Sequence, residues 1–460
     1  MRPAVAAALV AALLTLVAVP ATARFGFPEP AEGNERGQII EAIYAKIAVA
    51  GILVFILVFL LLVWVLARYR EGTGKGRSTH EKHRGSLKAE LVWTVVPLAI
   101  MLWIGVMSYG GLVKLDAGLG SEDYAMKVDV VGRQWLWEMH YDGGVVTTVA
   151  AQPAHNGSLT FSDTFHLPAD TPILFNLTGG DVIHAFNIQD ENRAYVMMDD
   201  ANPAGPHKYH KQVVSLAAGD YHIQCKEMCL NPGHGYMRAQ LIVEPKADFD
   251  AWLADAKQCV GASLCERVSL TAKAGALSYS DPAASVAVAG TRVAVKVHND
   301  GPGGLTVKLD GQDKASVPSG ETLRFSFEVS GTNTSNVSFS PITKAKDSYF
   351  TVTSVVPDDD TLVVDLKDYA LAPPNLELKV GKGYLITAKN LGGTGHNLFF
   401  GEYDEGAHAP VTIVAQSSTA SPTQEAVLYY KPTTIGTIDM WCNIPGHAGL
   451  GMMGKVNVVA

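Results

Sequence analysis

Hydrophobic and polar positions follow three successive regimes along the chain. The first is a short apolar run from Ala4 to Val19, preceded by Arg2 and closed by Pro20 and the small-x-small triplet Ala21, Thr22, Ala23. That order of charge, apolar stretch and small residues is the pattern of an export signal, so residues 1-23 are expected to be cleaved and the rest to leave the cytoplasm. A third membrane helix is the alternative, disfavoured by the shortness of the run and by the triplet. The second regime is a pair of longer apolar runs, Ile47 to Ala67 and about Leu91 to Leu112. A helix of about 20 residues crosses a hydrocarbon layer of about 30 Å, so residues 40-115 are expected to form a transmembrane hairpin in the cell membrane, in contact with the lipid bilayer. Between the runs, Arg68, Arg70, Lys75, Arg77, Lys82, Arg84 and Lys88 stand against only Glu71 and Glu81. Such an excess of cations stays cytoplasmic, which places both outer ends of the hairpin, and everything after it, outside. A buried hairpin of a soluble protein would not explain an uninterrupted apolar surface beside that basic loop.

After Gly111 the third regime begins: short alternating strands separated by turn residues, as in MKVDVVGRQWLWEMHYDGG with Val128, Val130 and Trp135, continuing almost to the C-terminus. The expected fold class is therefore mainly β with an N-terminal two-helix transmembrane hairpin, the β part being sandwiches in tandem. The helix-like FDAWLADAK, around Asp248 to Lys257, closes the first sandwich, and the acidic VPDDDT stretch near Pro357 separates the second from the third. The divisions are 124-247, 267-356 and 360-460. A length of 460 residues with 44 Gly and 23 Pro agrees with several domains rich in turns. The net charge of -9 argues against nucleic acid as a partner.

The chemistry of the first sandwich lies in one loop. Cys225, Lys226, Glu227, Met228 and Cys229 are followed by Asn231, Pro232, Gly233, His234 and Met237, with His184 upstream in DVIHAF. Two thiolates, two imidazoles and a thioether form a soft donor set that suits copper. Cysteines four residues apart on a tight loop can both turn their sulfurs inward and bridge two ions. A structural disulfide between Cys225 and Cys229 is one alternative in an oxidising compartment, and a four-ligand zinc site is another. Neither accounts for His and Met at these offsets, since zinc rarely takes a thioether. His207, His210 and His222 read as surface or loop residues.

The third sandwich repeats the theme with one cysteine: His396 in GGTGHNLFF, then Cys442, His447 and Met452 in WCNIPGHAGLGMMG. Cys-x4-His-x4-Met after a distant histidine supplies three strong ligands in a plane and a long thioether bond, the needs of a mononuclear blue-copper site. Met453 competes for the axial place, a packed free cysteine among unrelated histidines is the alternative, and His408 reads as a loop residue. The middle sandwich has no cysteine and no matching histidine, and is read as a metal-free spacer of cupredoxin or immunoglobulin-like type. Cys259 and Cys265 flank a short loop and are expected to pair, and no Cys-x-x-Cys-His triplet is present for covalent haem.

Over its first 255 or so residues the sequence resembles cytochrome c oxidase subunit II. The resemblance rests on Glu90, Trp93 and Pro97 in ELVWTVVP, Gln134, Trp135 and Trp137 in GRQWLW, DVIHAF around His184, Asp200 and Pro203, and CKEMC through Met237. It implies a cupredoxin-type Greek-key sandwich holding dinuclear CuA through His184, Cys225, the carbonyl of Glu227, Cys229, His234 and Met237. The Glu227 side chain would reach a Mg or Mn ion at the border with subunit I. Trp135 looks like the aromatic that takes an electron from an external donor, although a strand tryptophan also serves ordinary packing. Glu90 matches a glutamate near the mouth of a proton path, or complements a helix dipole. Two departures stand out: four residues separate Cys229 from His234 where the family has three, and Met198 stands where lysine is usual before Asp200. The last 100 residues resemble the auracyanin and rusticyanin type of cupredoxin. The implied function is an oxidase subunit that receives electrons from cytochrome c or a small blue-copper protein and passes them to a haem-bearing subunit I for reduction of O2 coupled to proton translocation. Quinol oxidase subunit II shares the hairpin but lacks the copper donors. A CuA-bearing component of a nitric-oxide or nitrous-oxide reductase, and a membrane copper carrier or store without a catalytic partner, remain as alternatives.

Overall fold

The computed structural model describes residues 29–31, 34–68, 86–116, 123–153, 158–193, 195–201, 211–262, 265–273, 276–279, 286–341, 349–358 and 361–460. The expected export signal, the basic loop from Arg70 to Arg84, Pro203, His207 and His210 lie outside the described residues, as do the side chains of Arg68, Met198 and Asp200.

Two long helices come first, α1 (Glu35–Arg68) and α2 (Leu87–Leu115), both long and apolar enough to cross a membrane. Their side chains are largely exposed, Phe55 at 68% and Val106 at 75% among them, the reverse of a helix buried in a soluble core. α1 starts twelve residues before the apolar run because Asn34 caps it: its Oδ1 accepts from the Gly37 amide at 2.8 Å and its carbonyl from Gln38 at 3.1 Å. Its 34 residues rise about 50 Å at 1.5 Å each, so part of it projects beyond a hydrocarbon layer of about 30 Å. The helices touch where Gly111 leaves room for Ile43, which a Cβ would overlap.

The remaining described residues form pairs of facing sheets. In the C-terminal sandwich one sheet runs Ala370–Ala372, Leu362–Lys367, Tyr384–Asn390, Glu425–Tyr430, and the other Asn375–Lys379, Met453–Val459, Gly436–Trp441, Phe399–Asp404, Ala409–Gln416. Alternate residues point inward, as in Tyr384–Asn390, where buried and less buried positions alternate strictly. The middle sandwich repeats this order strand for strand, from Ala276–Tyr279, Cys265–Lys273, Arg292–Asn299, Thr322–Glu328 to the facing five. That decides for the cupredoxin type over the immunoglobulin-like one. The first sandwich shares the parallel pairing of its opening strand, Met126–Arg133 against Ile173–Gly179, seen also for Cys265–Lys273 against Arg292–Asn299 and Leu362–Lys367 against Tyr384–Asn390.

All three sandwiches end in an antiparallel hairpin, and in the first and last its connection carries candidate donors. In the first it joins Gly219–Cys225 to Arg238–Glu244, and in the last Gly436–Trp441 to Met453–Val459. The corresponding segment of the middle sandwich, 341–348, contains no histidine, cysteine or methionine. Between the first two sandwiches lies α3 (Lys246–Lys257), which buries Phe249 and Ala256. Cys259 and Cys265 are disulfide-bonded, and Asp255 of α3 pairs with Arg324 and Lys296 of the middle sandwich.

Candidate metal centres

The first candidate site is assembled by the hairpin loop and the neighbouring strand of the same sheet. Cys225 ends the strand Gly219–Cys225, Met237 precedes Arg238–Glu244, and His184 opens the strand His184–Gln189. Cys225 Sγ lies 3.8 Å from Cys229 Sγ, 3.9 Å from His184 Nδ1 and 3.1 Å from the Glu227 carbonyl. Cys229 Sγ lies 3.4 Å from His234 Nδ1 and 3.7 Å from Met237 Sδ. The extra residue before His234 is taken up by a turn in which Leu230 has φ +74°, and His234 still reaches the sulfur. The Glu227 side chain is exposed, and Glu90 sits in the exposed first turn of α2.

Electrostatics prepare this loop for a cation. Chiefly through its hydrogen bond with Cys229, the Cys225 pKa falls to about 4 against the opposing effect of burial. The pKa of Cys229 is pushed up by the same bond and by burial. Two such thiols would release protons on binding a metal ion. Burial opposes protonation of His184, but hydrogen bonds to Asp181 and Cys225 outweigh it and raise its pKa. Asp181 Oδ1 is 2.8 Å from His184 Nε2. A carboxylate there requires the proton on Nε2, which leaves the Nδ1 lone pair turned toward the sulfurs.

The second candidate site has the same construction. Cys442 Sγ is 3.4 Å from His447 Nδ1 and 3.9 Å from His396 Nδ1, and the two imidazole nitrogens are 3.1 Å apart. All three residues are fully buried. Burial lowers the His447 pKa to about 3, with repulsion from His396 adding to it, and burial also lowers that of His396 against the pull of Asp368. Two neutral imidazoles thus aim lone pairs at one point beside a thiol that burial holds up at about 12. Met452 belongs to the same apolar cluster as Cys442, whereas Met453 packs with Phe399 and Trp441. Thiol, imidazole and thioether donors converging in dry pockets fit copper at both places. His222 lies along the strand Gly219–Cys225 and His408 in a turn beside Gly449, and neither belongs to a donor group.

Several residues that the donor pattern did not reveal complete the sites. Asp181 and Asp368 orient His184 and His396. The Asn397 amide donates to Cys442 Sγ at 3.5 Å. Gln134 donates through Nε2 to the Cys229 carbonyl at 3.0 Å, and its own carbonyl accepts from His447 Nε2 at 3.0 Å. An acidic residue three positions before a candidate ligand, as in DVIH, is the signal that could have found Asp181. Trp135, expected to meet an external donor, is 1% exposed and covered by the C-terminal sandwich. The cause is its neighbour Leu136, which is buried in the C-terminal apolar cluster.

Two membrane-type helices followed by cupredoxin-type sandwiches with buried His/Cys/Met groups define a membrane protein of the copper-binding class. Residues 20–110 match the family model for the transmembrane domain of cytochrome c oxidase subunit II, residues 126–244 that for its periplasmic domain, and residues 361–459 that for copper binding proteins of the plastocyanin/azurin family. The matched segments thus correspond to both domains of cytochrome c oxidase subunit II and to a plastocyanin/azurin-type domain, each over part of the chain. It is 28% identical over 188 residues to a probable cytochrome c oxidase subunit 2 of Rickettsia conorii, covering 39% of this chain and 56% of that one. It is also 28% identical over 248 residues to cytochrome c oxidase subunit 2 of Candida albicans, covering 51% of this chain and 88% of that one. The chain thus spans little more than half the length of the Rickettsia relative. Among solved structures, the periplasmic domain of subunit II of cytochrome oxidase of Bradyrhizobium japonicum is 25% identical with a TM-score of 0.26, covering 29% of this chain and 95% of that one. Auracyanin B is 18% identical with a TM-score of 0.21, covering 23% and 91%.

Proposed function

We propose that this chain is subunit II of a respiratory haem-copper oxidase, taking electrons from an external carrier and passing them to a haem-bearing subunit I that reduces O2 and moves protons. The observation that carries the reading is the convergence of His184, Cys225, the Glu227 carbonyl, Cys229, His234 and Met237 within one loop and one strand, in a chain matching both subunit II domains. These residues would hold a CuA pair, and His396, Cys442, His447 and Met452 a single blue copper. Bound copper supplies reversible one-electron oxidation and reduction. The protein holds the donors rigid and dry, so that little rearranges when charge changes. Asp181 and Asp368 fix the imidazole tautomers, and burial excludes water from the sulfurs. The exposed Glu227 side chain would reach Mg or Mn at a border with subunit I. Glu90 would open a proton path. The basic loop puts the sandwiches on the extracytoplasmic side, and the disulfide between Cys259 and Cys265 agrees with an oxidising compartment.

The test is copper content and electron paramagnetic resonance on the full chain, beside Cys225→Ser and Cys442→Ser. A mixed-valence signal lost only in the first variant, and a blue-copper signal lost only in the second, support both centres. A loaded chain without a mixed-valence signal would refute the dinuclear site.

A further inference from the structure

The C-terminal sandwich is seated on the face of the first one where Trp135 would otherwise meet solvent. The indole lies between two glycines. A Cβ at Gly233 would overlap the ring, and one at Gly446 would come within 2.9 Å of Trp135 Cζ3. The rings of Tyr369 and His447 close the remaining sides, with centroids 6.3 and 5.8 Å away. Arg133 Nη1 donates to the Gly393 carbonyl at 2.9 Å, and Ser421 Oγ to Glu138 Oε1 at 2.8 Å. Leu136 reaches into the apolar cluster of the C-terminal sandwich, packed so closely that a Cβ at Gly395 would be 2.6 Å from its Cδ2.

The centre of this contact is one carbonyl. Gln134 O accepts from Thr394 Oγ1 at 2.8 Å and from His447 Nε2 at 3.0 Å. Since a carbonyl only accepts, the His447 proton is on Nε2, and its Nδ1 lone pair is free for Cys442's site. On the other side, Gln134 Nε2 and Trp135 Nε1 both donate to the Cys229 carbonyl, at 3.0 and 2.9 Å. The two candidate copper sites are therefore joined by covalent bonds and two hydrogen-bond steps, with no open gap.

On the reading of both sites as copper centres, we propose that the C-terminal sandwich is a donor docked in cis. It closes Trp135 to external carriers and hands electrons to the first site through His447, Gln134, Trp135 and Cys229. One electron leaves the C-terminal site, which is oxidised by one, and arrives at the first, which is reduced by one. No bond breaks, and His447 keeps its Nε2 proton on Gln134 O. A soluble one-electron carrier then re-reduces the C-terminal sandwich.

The test uses the full chain and two readouts. Oxidative footprinting of Trp135, followed by mass spectrometry with and without copper, reports docking independently of any metal. Flash reduction of the copper-loaded chain reports the transfer. In Leu136→Asp the docked-to-open ratio should fall about tenfold or more, since a buried leucine is replaced by a charge. Trp135 should then become reactive, and the concentration-independent transfer between centres should slow in proportion, with both copper spectra retained. Ser421→Glu, which sets a second carboxylate against Glu138 from the other sandwich, repeats the test if the first variant does not fold. Trp135 as reactive in the native chain as in the variants would overturn the proposal, as would a carrier that reduces the first site equally fast in all three. Failure to load copper would instead remove the function proposed above, leaving the footprint to decide the docking.

Discussion

Replacing Gly233 by alanine is expected to destabilise the first sandwich, while the same change at Gly235, two residues further along the loop, is expected to be nearly silent. Gly233 has φ -89°, so alanine meets no backbone penalty. The obstacle is the indole of Trp135, whose Cδ2, Cε3 and Cγ lie where the methyl would go, whereas nothing lies within 4 Å of a Cβ at Gly235. The indole cannot swing outward, because Gly446, Tyr369 and His447 cover its other faces. Overpacking of this kind costs about 1–3 kcal/mol. Moving the ring also breaks its 2.9 Å bond to the Cys229 carbonyl, worth about 1 kcal/mol. The sum is about 2–4 kcal/mol for Gly233→Ala, against about 0.5 kcal/mol or less for Gly235→Ala. Denaturant unfolding of the copper-free chain, followed by tryptophan fluorescence, gives both numbers. Equal midpoints for the two variants would refute the packing of Trp135 between the loops.

Glu138 supplies a pH test. Burial opposes its charge, but His140, Arg133 and Ser421 outweigh burial and hold its carboxyl below the ordinary 4.5. Its contribution to docking is therefore full above about pH 4.5 and lost as pH falls through the lowered pKa, so Trp135 footprinting should stay flat down to that range and then rise. A rise beginning near neutral pH would assign the effect to a histidine instead. Asp181→Asn should weaken metal binding at the first site by about 10- to 100-fold, read by chelator competition, with the C-terminal spectrum unchanged. Reducing the disulfide between Cys259 and Cys265, which closes a loop of sequence separation 6, should cost about 2 kcal/mol in unfolding of the middle sandwich. Both copper spectra should survive that reduction, because neither cysteine belongs to a donor group, and loss of either would contradict that assignment.

The sequence by itself determined the elements and which candidate donors lie near one another. Apolar runs too long for a buried core marked α1 and α2, and strict alternation marked the strands, because these periods follow from local geometry. Ligand spacing was legible for the same reason: Cys225 through Met237 and Cys442 through Met452 each lie on a single hairpin loop, so their convergence needs little beyond the loop. The start of α1 lies outside the apolar run because the turns before Ile47 mix polar with apolar residues, and only the cap at Asn34 fixes where they begin. The type of the middle sandwich needed strand order, which alternation does not encode. What tertiary structure alone decided is the union of the two sites. Nothing in the local pattern of GRQWLW distinguishes a tryptophan facing solvent from one under another domain. That depends on Leu136 finding an apolar cluster, and Gln134 O a histidine, more than 200 residues further along the chain. Such pairings are set by long-range packing, which residue spacing along the chain does not carry.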